Sequence, residues 1–161
     1  MWCKARLFVK AASGRQRHNV LGALNAVTHE LIHVSNNTYI TATTVCELLH
    51  KIAATGLNIP ITLVLDNARY QHCRLVADLA KTLGIELLYL PSYSPNLNLI
   101  ERLWKFVKKS ALNSRHQGSF ADFQQAIEQC LHQLPTTHRS AITALMTLNF
   151  QTFENVSTLA A

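Results

Sequence analysis

A chain of 161 residues, 48% of them hydrophobic, can form one compact domain that buries about two-thirds of its unfolded surface, which excludes a wholly disordered protein. Fifteen lysines and arginines against nine acids give a net charge of +6 and a pI near 9.4, a balance that favours polyanionic partners. Cys3, Cys46, Cys73 and Cys130 lie too far apart for a CxxC pair or a zinc-finger array, and no apolar stretch reaches membrane-spanning length, so a cytoplasmic protein without a membrane partner is expected.

The charge is unevenly spread. Residues 1–29 hold Lys4, Arg6, Lys10, Arg15 and Arg17 and no acid, and residues 102–115 hold Arg102, Lys105, Lys108, Lys109 and Arg115, again with no acid. Either patch alone would be an ordinary solvated face. Beside a centre that cleaves phosphodiesters, both become candidates for phosphate contact.

Alternation in HNVLGALNAVTHELIHV predicts strands near residues 18–28 and 30–35, reversing at His29 and Glu30. TATTVCELLHKIAATG follows as a helix capped by Thr41 or Thr43, with Val45, Leu48, Leu49 and Ile52 on one face and Gly56 as its stop. IPITLVLD is short, apolar and rich in β-branched residues, the pattern of a strand buried on both faces, and Asp66 stands at its carboxyl end. A helix from about His72 to Leu83 ends at Gly84, and IELLYLP supplies the next strand.

SYSPNLN reads as a turn, and LIERLWKFVKKSAL as a helix with Ile100, Leu103, Trp104 and Val107 on one side and Glu101 in its first turn. Trp104 is expected as a core anchor rather than a base-stacking platform. SFADFQQAIEQCLHQL is a further helix opened by Ser119 and stopped before Pro135, and a weakly structured tail is expected from about residue 136. The order of elements implies an α/β domain, 1–161, with helices packed on a mixed sheet.

Asp66 and Glu101 are separated by thirty-four residues. Two-metal phosphodiester cleavage needs several carboxylates converging on ions about 4 Å apart, and hard oxygen ligands suit Mg²⁺ or Mn²⁺. Each acid also has an ordinary explanation: a capping box with Asn98 and an i,i+4 pair with Lys105 for Glu101, and an Asx turn with Asn67 for Asp66. Asp78 and Glu86 read as surface acids, and although His29 and His33 have i,i+4 spacing, that geometry needs a helix and this stretch reads as strand, so no histidine metal site with His72 is expected. Arg69 and Tyr93, in the loops near the two acids, are weak candidates for contact with DNA.

LVLDNARYQH followed by YLPSYSPNLNLIERLWKFVKK resembles the DDE superfamily endonuclease domain of mariner-type bacterial insertion-sequence transposases, and GRQRHNVLGALNAVTHELI resembles that family's second and third strands. The resemblance implies a ribonuclease-H-like fold, Mg²⁺ or Mn²⁺ as cofactor, cleavage at terminal inverted repeats and joining of the freed ends to target DNA. It assigns Asp66 as the second catalytic Asp and Glu101 as the final Glu, both metal ligands. Arg15, Arg17, Arg69, Tyr93, Arg102, Lys105, Lys108 and Lys109 are the candidate DNA contacts.

The family's first Asp lies on a central strand ahead of the position of Trp2, and no acid here precedes Glu30. The expectation is therefore an amino-terminally truncated domain lacking its first strand and inactive alone. It would be a decayed remnant, or act with a complementing transposase fragment, as a homodimer, or as a non-catalytic DNA-binding or regulatory partner of a full-length transposase. A standalone nuclease with a different third acid is the remaining possibility.

Overall fold

The computed structural model describes residues 16–66, 68–91, 98–112 and 119–147. Strands β1 (Asn19–Leu24) and β2 (Leu31–Asn36) form an antiparallel hairpin in the register Gly22↔His33. Its turn is built by Asn25, whose side-chain oxygen accepts the main-chain N–H groups of Val27 and Thr28 and whose carbonyl accepts that of His29. His29 adopts φ 62°, the left-handed conformation the reversal requires.

Period-two alternation gives the hairpin two apolar faces. Leu21, Ala23, Ile32 and Val34 pack toward helix α1 (Ala42–Ala53), whose Val45, Leu48, Leu49 and Ile52 are buried. Val20, Leu24 and Leu31 pack on the opposite side against α3 (Leu99–Val107) and α4 (Phe120–His132). The hairpin is thus the partition between two apolar clusters. Thr41 caps α1 reciprocally with Thr44, and Gly56 beyond its end takes φ 66°.

Strand β3 (Ile61–Leu65) pairs in parallel with β4 (Ile85–Tyr89), joined by α2 (Arg74–Thr82) and the left-handed Gly84. Ile61, Leu63, Ile85 and Leu87 face the cluster formed with α1 and α2. The opposite face is open: Val64 and Leu88, register partners, are 43% and 51% exposed. The apolar run reads as buried on both faces, but among the described residues helices cover only one side of this pair. α2 starts at Arg74 rather than His72, because residues 68–72 are drawn into a turn tied to β4.

The expected mixed α/β arrangement is present, with its strands in two hydrogen-bonded pairs among the described residues, β1–β2 antiparallel and β3–β4 parallel. After Val107 the helical path widens into a π-helical turn over Lys108–Leu112 before α4. Ser119 caps α4, its hydroxyl accepting the N–H of Asp122, and a short α5 (Arg139–Leu145) buries Ile142 against α3 and α4.

Candidate active site

Asp66 follows the last residue of β3 and is exposed. Leu65 lies opposite Tyr89, and the N–H of Leu90 donates to the Leu65 carbonyl at 2.8 Å, so the exit of β4 runs beside the residue that precedes Asp66. Parallel pairing brings the carboxyl ends of both strands to one edge, where open α/β sheets tend to bind ligands.

The segment after Asp66 is held by one buried polar residue. Gln71, 4% exposed, accepts the N–H of Ala68 on its side-chain oxygen at 3.1 Å and donates its own N–H to the Ala68 carbonyl at 2.9 Å. Its carbonyl accepts the Tyr89 hydroxyl at 3.0 Å, and the Tyr89 ring stacks on His72 with centroids 3.8 Å apart. Nothing in the spacing of the sequence singled out Gln71 or Tyr89. Burial pushes the Tyr70 hydroxyl above its ordinary value, and the nearby negative charge of Asp66 adds to the rise.

The chain leaves the β3–β4 edge at Pro91 and re-enters the described structure at Asn98, three residues before Glu101. The Asn98 side chain caps α3 by accepting the Ile100 N–H at 3.4 Å. α3 is fixed by Leu103 and Val107, both buried, and by Trp104. The aromatic edge of Trp104 lies against Gly22, where an added Cβ would stand 3.2 Å from Cη2. Trp104 is therefore the expected core anchor, one turn from the half-exposed Glu101.

Most described acids are already engaged. Glu30 accepts from Thr28, Glu86 from Thr62, Asp78 pairs with Arg74, Glu47 with Lys51, and Glu128 with two histidines. Among the described residues, neither the Asp66 nor the Glu101 side chain makes a hydrogen bond or ion pair, and the pair with Lys105 is not formed. Among the described residues neither the capping-box bond nor the Lys105 pair is formed by Glu101, which keeps only its favourable place in the first turn of α3. Asp122, in the first turn of α4, is the remaining acid among the described residues without such a partner.

The chemistry of two uncommitted carboxylates suits a hard divalent cation. Among the described residues, however, no three His, Cys, Asp or Glu side chains are grouped to hold a metal ion. The described residues thus do not by themselves form a metal centre.

The other candidates are dispersed. Arg69 is exposed in the loop after Asp66, and Lys105, Lys108 and Lys109 are exposed along α3 and the π-helical turn. Arg102 donates to the carbonyls of Leu145 (3.1 Å) and Thr147 (2.6 Å), which binds it to the end of α5. Arg17 lies over the Tyr39 ring, 4.5 Å from its centroid. Arg15 and Tyr93 are outside the described residues.

A model of the DDE superfamily endonuclease matches residues 4–124. No curated protein sequence matches. Among solved structures, the Mos1 transposase catalytic domain with Raltegravir and Mg shares the fold at TM-score 0.52 and 15% identity, over 85% of this chain and 84% of that one. The catalytic domain of the Mos1 mariner transposase aligns at TM-score 0.49 and 14% identity, over 84% and 82% of the two chains. No helix among the described residues is long and apolar enough to cross a membrane.

Proposed function

Because the chain belongs to the DDE superfamily of endonucleases, we propose that it contributes part of a transposase catalytic centre, in which Asp66 and Glu101 are catalytic carboxylates that hold Mg²⁺ or Mn²⁺. The observation that carries this reading is that, among the described residues, neither side chain makes a hydrogen bond or ion pair, one at a strand's carboxyl end and the other in a helix's first turn. A bound ion would activate the attacking oxygen and stabilise the leaving one at element ends. On this reading Asp66 and Glu101 are two of the donors such a centre needs, and no group of three is present among the described residues. The third carboxylate comes from outside them, on a strand supplied by further polypeptide, by a second copy or by a complementing fragment. Residues 1–161 then act as one catalytic-domain unit on cytoplasmic DNA and do not cleave it alone.

The test is nicking of supercoiled DNA carrying candidate element ends, in Mn²⁺, by the purified chain and by Asp66→Asn and Glu101→Gln. The isolated chain is expected to be silent. Cleavage that appears on adding an acid-bearing strand segment, and that both substitutions abolish, supports the reading. Nicking by the isolated chain that both substitutions abolish overturns the inactivity, and complemented cleavage indifferent to both overturns the site.

A second reading, a non-catalytic DNA-binding partner, draws on the exposed run Lys105, Lys108 and Lys109. Each phosphate contact released by salt steepens the dependence of log K on log salt by about one unit. On this reading binding is salt-sensitive and survives loss of both acids, and cleavage fails under every condition.

A further inference from the structure

The two strand pairs are covered unequally. One face of each belongs to the cluster built on α1 and α2, through Leu21, Ala23, Ile32 and Val34 on the hairpin and Ile61, Leu63, Ile85 and Leu87 on β3–β4. The opposite face of the hairpin, with Val20, Leu24 and Leu31, meets a second helical layer of α3, α4 and α5. Among the described residues that layer stops at the hairpin. On β3–β4 the corresponding face holds Val64 and Leu88, register partners 43% and 51% exposed, beside Thr62 and Glu86, which are hydrogen-bonded to each other at 2.7 Å. Asp66 extends the same row, two residues past Val64. An apolar sheet face is stabilised by a packed element, so this one calls for a cover.

The chain itself supplies a candidate. α5 belongs to the second layer through buried Ile142, followed by buried Met146. Arg102, in the first turn of α3, donates to the carbonyls of Leu145 and Thr147 at 3.1 and 2.6 Å. The chain therefore leaves α5 pinned to the amino end of α3, the end that follows β4 in sequence. Fourteen residues, 148–161, continue from this point and lie outside the described residues. Glu154 is their only charged side chain, and Phe150, Phe153 and Val156 recur at a spacing of three, which puts them on one side of a helix. A helix of that length spans about 21 Å, against about 17 Å for a five-residue strand.

Residues 1–15, the other terminal segment outside the described residues, fit this face less well. They carry Lys4, Arg6, Lys10 and Arg15. They join the structure where Arg17 lies over Tyr39 and His18 meets Asn37 and Gln124 of α4. Charge and point of attachment both favour the carboxyl-terminal segment.

We propose that residues 148–161 seat Phe150 and Phe153 on Val64 and Leu88, completing on β3–β4 the layer that α3, α4 and α5 form on the hairpin. The segment then makes a wall beside Asp66. That consequence rests on the role proposed for Asp66, whereas the docking does not.

The test is methyl NMR of the intact chain. The Val64 and Leu88 methyls should show cross-relaxation with the ring protons of Phe150 or Phe153 and lie upfield through the ring currents, and both signs should persist on dilution. Phe153→Ser should move these methyls downfield. In a chain ended after Thr147 they should move further, and a dye that fluoresces on apolar surface should bind more strongly. Methyls that stay in place in both variants overturn the proposal. Contacts seen only between differently labelled molecules in a mixture assign the face to a second copy, and contacts to residues 1–15 assign it to the other segment, and either result overturns it. None of these readouts involves cleavage, so failure of the docking is distinct from failure of the role given to Asp66 and Glu101.

Discussion

Gly22 and Trp104 touch: a Cβ built on Gly22 would stand 3.2 Å from Trp104 Cη2 and 2.9 Å from Leu31 Cδ1. This contact seats α3 on the hairpin and so sets where Glu101 sits. Gly22→Ala is expected to destabilise by about 1–3 kcal/mol, the usual range for overpacking. Urea unfolding measures it. Pairing the change with Trp104→Leu should recover part of the loss, since the ring the methyl collides with is gone.

The uncommitted carboxylates give a contrast in stability. Asp66→Asn should leave unfolding free energy within about 0.5 kcal/mol of wild type, as surface changes without partners do. Glu101→Gln should lose no more than about 1 kcal/mol, the favourable charge at a helix N-terminus. Asn98→Ala removes a cap whose oxygen is in use and should lose about 1 kcal/mol. A loss of 3 kcal/mol or so at Glu101, far beyond a capping term, would make it a structural residue.

Gln71 is the opposite case, a buried side chain with its acceptor engaged. Gln71→Leu leaves the Ala68 N–H unpaired and should destabilise by about 1–3 kcal/mol. Tyr89→Phe, which removes only the bond to the Gln71 carbonyl, should lose about 1 kcal/mol. Amide exchange at Ala68 should accelerate in the first variant.

Tyr70 makes a prediction in alkali. Its hydroxyl is raised above the ordinary 10.0 by burial first and by Asp66 second. A raised group contributes stability that is full below its unfolded value and lost as pH rises through the folded one, so Tyr70→Phe should flatten the decline in stability above about pH 10. Ultraviolet titration of tyrosinate in Asp66→Asn should move Tyr70 downward, yet not back to its ordinary value, because burial remains. An unmoved titration would separate the two groups in space.

The elements were readable because local chemistry fixes them: Asn25 turns, Thr41 and Ser119 cap, and glycines 56 and 84 take positive φ that other residues avoid. Helix faces followed from spacing, so Val45, Leu48, Leu49 and Ile52 were legible as core. Asp66 at a strand end and Glu101 in a first helical turn were likewise placed by sequence alone.

What the sequence by itself determined, then, is the identity and order of the elements and which residues each presents, since these depend on neighbours within a few positions. Tertiary structure alone decided who meets whom. It freed Glu101 from Lys105, enlisted Gln71 and Tyr89 to hold the Asp66 loop, bound Arg102 to the end of α5, and brought His18 against a carboxylate on α4. It also left Val64 and Leu88 open on a strand that reads as fully buried, because burial is a property of what packs on a strand and not of its own apolar run.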